Sequence, residues 1–96
     1  MNRDYSPPYR LGTEQKVAVA SSSAAISNAW GADTYIIRVA TTTDCHITIA
    51  ASPTATANHH LMPAGTIDYF FVNPSLKLAA IRVSADGTLT VTEVSK

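Results

Sequence analysis

The chain has a single cysteine, Cys45, so no disulfide can close within it. A lone thiol and a polar N-terminus without an apolar signal core predict folding in a reducing cytosol, without export by a secretory signal. Charge of either sign is also scarce in excess: seven Lys and Arg balance seven Asp and Glu. Nucleic-acid binding draws on clustered positive charge, and these basic residues are scattered, so the reading is no nucleic acid. No apolar run approaches the roughly 20 residues of a membrane-spanning helix, and no membrane partner is expected. The four glycines stand apart, which excludes a glycine-rich phosphate loop. No segment carries an apolar stripe at helical spacing over three turns, so almost no helix is expected.

What the chain does have is alternation. From Met62 to Val94 three strand-length apolar segments, Ile67 to Val72, Leu76 to Val83 and Thr88 to Val94, are separated by Asn73-Pro74-Ser75 and Asp86-Gly87, and Pro63-Ala64-Gly65 precedes them. Asp-Gly between alternating segments signals a tight hairpin, because a type I′ turn needs positive φ at both central residues. The expectation is an antiparallel meander. Leu76 and Leu78 share one face whereas Ile81 and Val83 share the other, which predicts a bulge near Ala79-Ala80.

Upstream, Lys16 to Ala20 alternates with Val17 and Val19 on one face. Ser21 to Asp33 is read as a short strand around Ala24 to Ile26 and a turn near Gly31. Thr34 to Thr41 is a strand with Tyr35, Ile37 and Val39 inward, and Ile36 and Arg38 outward. Thr42-Thr43-Asp44 turns the chain, and Cys45 to Ala50 returns with Cys45, Ile47 and Ile49 inward. Pro53 marks Ala51 to Asn58 as a loop or weak edge strand. Ile37-Arg38-Val39-Ala40 followed by Ile47-Thr48-Ile49 echoes Ile81-Arg82-Val83-Ser84 followed by Leu89-Thr90-Val91. Each unit reads as a hairpin with one buried face, and two such faces pack together. The fold class is therefore all-β: an antiparallel β-sandwich or jelly-roll-like barrel of about seven or eight short strands. It forms one domain from residue 15 to 96 behind an extended N-terminal arm, Met1 to Glu14.

Catalytic and metal chemistry is thin. His59 and His60 with His46 suggest a metal at first, but adjacent residues of an extended chain point oppositely and no carboxylate or cysteine stands at ligand spacing. Cys45 and His46 are strand neighbours facing opposite ways, so the imidazole cannot activate the thiol; a buried small apolar cysteine is the expectation. No catalytic residue, metal ligand or cofactor is assigned, and the reading is not an enzyme. Trp30 serves the core or a lid, or alternatively stacks on a sugar.

Interaction residues are more legible. Ile67, Tyr69 and Phe71 alternate with Asp68, Phe70 and Val72, so this strand is apolar on both faces near its end; it lies centrally in a sheet or at a subunit interface through Phe70 and Val72. Arg38 and Arg82 project outward, to solvent or to a charged contact with a neighbouring chain. In the arm, Tyr5 and Tyr9 flank Pro7-Pro8, with Arg3 and Arg10 just beyond. Such a polyproline-like strap loses little entropy on binding, and its arginines can pair with partner carboxylates. With few large inward side chains, a partner's surface would complete the fold, which predicts a homo-oligomer.

The ordered set Tyr35-Ile36-Ile37-Arg38-Val39, Met62-Pro63-Ala64-Gly65-Thr66, Tyr69-Phe70, Leu78-Ala79-Ala80-Ile81 and Gly87-Thr88-Leu89-Thr90-Val91-Thr92 resembles the small all-β decoration, or cement, proteins of tailed-bacteriophage heads. About two thirds of the chain carries the likeness. The resemblance implies a virion protein on the capsid exterior, assembled in the bacterial host cytoplasm, whose partner is the major capsid protein and which stabilises the shell by bridging neighbouring capsid subunits. It also implies a trimer as the preferred oligomer, by analogy with threefold positions on icosahedral shells. Phage neck, tail and fibre-attachment adaptors share these patterns and form one alternative; a carbohydrate-binding β module is the other.

Overall fold

The structure, a computed structural model, describes residues 10–95 of the chain. Its elements are β1 (Arg10–Val19), β2 (Ala24–Ala25), β3 (Ile36–Thr41), β4 (Cys45–Ala50), β5 (His60–Met62), β6 (Ile67–Phe71), β7 (Lys77–Arg82) and β8 (Gly87–Ser95). They form two antiparallel four-stranded sheets, ordered β1-β8-β3-β6 and β2-β7-β4-β5. We call these sheet A and sheet B.

The strand orders disclose how the chain is folded. Pairs β1 with β8, β2 with β7, β3 with β6 and β4 with β5 are nested about the turn between β4 and β5, as in one long hairpin. The further pairs β3 with β8 and β4 with β7 are the seams made when that ribbon is rolled up. This is the double-sheet topology of a jelly roll. Apart from β4 and β5, every pair of consecutive strands lies in opposite sheets, so nearly every connection is an arch between layers.

Alternation places the core between the layers. Val17 and Val19, Ile37 and Val39, and Leu89 and Val91 line sheet A, while Cys45, Ile47, Leu78, Ala80 and Met62 line sheet B. Trp30, in the connection from β2 to β3, plugs one end of the sandwich: it is buried and its Nε1–H donates to the Asn73 carbonyl at 2.7 Å. Glu93 ties down the same connection, accepting from the Gly31 N–H at 3.0 Å and the Thr34 hydroxyl at 2.5 Å. At the other end the arches brace one another. Asp44 Oδ1 accepts the Ala64 N–H at 2.7 Å, and the Thr41 carbonyl accepts the N–H of Gly65, whose φ of 78° fits the turn Pro63 to Thr66.

Several expectations are overturned. The meander does not form, because β6, β7 and β8 are nowhere mutual neighbours. Asp86-Gly87 is not a hairpin turn but the landing of the arch from sheet B to sheet A, and Gly87 has no positive φ. Glycine is needed there for proximity instead: a Cβ on Gly87 would lie 2.6 Å from Thr43 Cγ2 and 2.7 Å from Thr42 Oγ1. Each echoed unit is likewise an arch, and the two arches pair with each other along both seams. No bulge interrupts β7, whose register with β4 runs unshifted from Lys77 to Arg82; Leu76, Leu78 and Ala80 face inward, and Ile81 is simply an outward, partly exposed residue.

The arm boundary also moves. Arg10 to Glu14 belongs to β1, with a register shift against β8 between Leu11 and Glu14. That irregularity removes the alternation that would have marked the strand. Tyr35, expected inward, lies just before β3 and is exposed.

The close approach at Gly87 has a measurable consequence. Gly87→Ala is expected to lose about 1 to 3 kcal/mol through overpacking against the Thr42-Thr43 arch. Gly65→Ala, with open space around the Cβ position, is expected to lose about 1 kcal/mol for its left-handed backbone alone. Urea denaturation of both variants beside the parent checks this ordering.

Candidate functional site

The outer face of sheet A can be read row by row from the pairing registers. Across β6, β3, β8 and β1 the rows are Phe71, Ile36, Val94 and Leu11; then Tyr69, Arg38, Thr92 and Glu14; then Ile67, Ala40, Thr90 and Lys16. The first row is apolar from edge to edge. Its two ends are the most exposed large hydrophobics among the described residues, Phe71 at 86% and Leu11 at 73%. Tyr35, Asp33, Ile36, Val94 and Ser95 line a shallow notch at the end of this row. Tyr69 and Ile67 extend the apolar character down β6.

The middle row is charged. Lys16 Nζ donates to Glu14 Oε2 at 2.6 Å, and this contact, with smaller help from Thr92 and Arg38, holds the Glu14 carboxyl below its ordinary value. Arg38 therefore stands in the centre of the face, beside the apolar row, as the outward projection of β3 predicts.

The other interaction residues read from the sequence are not brought to it. Phe70 and Val72 point inward and pack against the core, so the outward set of β6 is Ile67, Tyr69 and Phe71. The strand is an edge of sheet A and not a central strand. Asp68 shares the inner face with Phe70, half-buried, which is why the polar residue did not mark the outward side. Arg82 sits in sheet B, where its guanidinium donates to Asp86 Oδ1 at 2.6 Å, in the arch before β8. Arg10 is exposed at the start of β1, opposite Ser95. Arg3, Tyr5, Pro7, Pro8 and Tyr9 lie outside the described residues. Leu11 escaped sequence reasoning because the shift in β1 hides its alternation.

The histidines are held separately. His46 Nδ1 lies 3.0 Å from the His59 carbonyl, while His59 Nδ1 accepts the Thr56 N–H at 2.9 Å. His60 meets Phe70 edge-on, with ring centroids 5.8 Å apart. His59, His60 and Phe70, with Ile47, Thr48 and Ile49, line an open notch of about 310 Å³. Among the described residues no group of three His, Cys, Asp or Glu could hold a metal ion. Trp30, buried at 1% exposure, offers no ring face to a sugar.

Cys45 is fully buried, and its Sγ donates to Thr41 Oγ1 at 3.6 Å. Burial pushes its thiol up; the Thr41 contact opposes this and Asp44 adds to it. Comparison with protein-family models, with curated proteins and with solved structures finds no match to this chain.

The raised Cys45 thiol sets a direction for stability against pH. The unfolded chain releases this proton at the ordinary thiol value, before the folded protein does. Stability is therefore complete below that value and falls as pH rises through it toward the folded one. Denaturant titrations at rising alkaline pH are expected to show this slope in the parent and not in Cys45→Ala. A thiol reagent is expected to label Cys45 at the rate of unfolding, and immediate labelling of the native protein contradicts the burial.

Proposed function

We propose that the protein is a non-enzymatic virion structural protein that binds the exterior of a phage capsid and stabilises it by bridging neighbouring capsid subunits. The observation that carries this reading is the apolar row Leu11, Val94, Ile36 and Phe71 on the outer face of sheet A, exposed at both ends. A rigid two-layer sandwich whose apolar row is buried at Ile36 and Val94 and exposed at Leu11 and Phe71, beside a row centred on Arg38, suits a broad protein surface better than a small ligand. The likeness of the segments from Tyr35 to Val94 to phage decoration proteins supplies the partner, the major capsid protein, and the place, the shell exterior after assembly in the bacterial cytoplasm. Jelly rolls also serve as viral capsid and lectin domains, so the fold agrees with this use without specifying it.

The test is co-sedimentation of the purified protein with undecorated phage shells. The parent is expected to pellet with the shells and to raise their resistance to heat. Leu11→Asp and Tyr35→Asp, both at exposed positions, are expected to weaken binding at least tenfold, about 1.4 kcal/mol, while leaving the melting temperature of the free protein unchanged. A parent that stays in the supernatant contradicts the proposal.

A further inference from the structure

A two-sheet sandwich has four edge strands, and each is an invitation to pair with another chain unless it is blunted. Here β2 has two residues and β5 three, too short to template a partner. β1 is long, but its register shifts between Leu11 and Glu14 and it carries Glu14 and Lys16. β6 differs from all of them. Its five residues pair with β3 without a shift, and it contains no proline, glycine or lysine.

Hydrogen-bond phase determines what β6 offers. The Thr41 N–H donates to the Thr66 carbonyl at 3.3 Å, and the Val72 N–H donates to the Tyr35 carbonyl at 2.8 Å. In an antiparallel ladder the residues bonded to one neighbour recur at every second position. The even-numbered residues of this segment are therefore bonded to β3, and Ile67 and Phe71 turn their own N–H and C=O groups away from the sheet. The same two residues carry exposed apolar side chains on the outer face.

We infer that β6 is a self-complementary edge, pairing antiparallel with β6 of a second copy about a twofold axis at position 69. In that register Ile67 stands opposite Phe71 of the second copy and exchanges both backbone bonds with it, and the symmetry-related pair does the same. Their side chains meet on the outer face as an aliphatic and aromatic cross-strand pair. Sheet A becomes continuous through both copies, the isologous arrangement of a twofold dimer. The chain's formal net charge of zero raises no long-range repulsion between copies. The one charge on the strand, Asp68, faces inward, and its twin falls on the diagonal position about 7 to 8 Å away. Removing that repulsion strengthens the pair. This geometry is twofold, in contrast to the trimer implied by the decoration-protein likeness, and it does not depend on capsid binding.

Sedimentation equilibrium of the full chain from low to high micromolar concentration tests the inference. The parent is expected to approach twice its monomer mass. Phe71→Pro removes an edge N–H while sparing the ladder to β3 and is expected to raise the dissociation constant at least tenfold. Ile67→Lys, with every backbone group intact, is expected to do the same and covers the case in which the proline variant misfolds. Asp68→Asn is expected to tighten association. Under oxidation, cysteines placed at opposed bonded positions, whose Cα atoms lie about 5.5 Å apart, are expected to form a disulfide-linked dimer. Ile67→Cys alone is expected not to link, and to link when mixed with Phe71→Cys. A parent that stays monomeric throughout, a dimer that survives both Phe71→Pro and Ile67→Lys, or Ile67→Cys linking to itself overturns the inference.

Discussion

Everything in this molecule hangs on the seams where the rolled ribbon meets itself. β3 pairs with β8 in one sheet and β4 with β7 in the other, so two arches, 42–44 and 83–86, must cross between layers side by side. They are locked where they touch. Thr42 donates its N–H to the Thr88 carbonyl at 3.0 Å and accepts the Thr88 N–H on its hydroxyl at 2.9 Å, while Thr43 Oγ1 donates to the Ala85 carbonyl at 2.9 Å. Such contact leaves no room for a side chain at Gly87. With both seams closed, β8 and β3 are central in sheet A, and β1 and β6 become its edges.

That arrangement determines which residues point away from sheet B. Because the central strands bury Ile37, Val39, Leu89 and Val91 against sheet B, the alternate residues of the same strands are forced onto the outer face. There Ile36 and Val94 align between Leu11 and Phe71, and Arg38 aligns between Tyr69 and Thr92. The surface proposed for docking is thus a by-product of the same registers that build the core. Its precision comes from strands and not from loops, the property a surface that must match a rigid partner requires. Trp30 contributes indirectly, closing the end of the sandwich nearest the apolar row and anchoring the long connection from β2 to β3 through Asn73.

Much of this was legible in the sequence, and the parts that were not share a physical cause. Alternation reports which side of a strand is apolar, so the all-β class, most strands and the inward residues Val17, Val19, Ile37, Ile47, Leu89 and Val91 could be read directly. Alternation says nothing about which strand lies alongside. Local turn chemistry therefore suggested hairpins at Asp86-Gly87 and Thr42-Thr43-Asp44, whereas the ribbon's long-range pairing makes both of them arches. The inferred bulge at Ala79-Ala80 failed because Ile81 was taken to be buried; alanines fill the crowded centre of β7, and Ile81 stands outside. In β6 every residue except Asp68 is apolar, so periodicity could not choose a face. The choice fell on Phe70 and Val72, while the outward face is Ile67, Tyr69 and Phe71. Arg38 needed only correct parity in one strand, and it was placed correctly.

The rolled topology is tested most directly by cross-strand proton contacts. In the seam between β3 and β8, Val39 faces Val91 as a pair that exchanges no backbone bonds, since the Thr42 N–H donates to the Thr88 carbonyl three positions along and bonded pairs recur at every second position. Their Hα atoms therefore lie close together across the strands. Nuclear Overhauser spectroscopy of the labelled protein is predicted to give a strong Hα–Hα contact between Val39 and Val91 and none between Ser84 and Leu89. The reverse result, a Ser84 to Leu89 contact with Val39 and Val91 apart, would mean that β7 and β8 form a hairpin and would contradict the account.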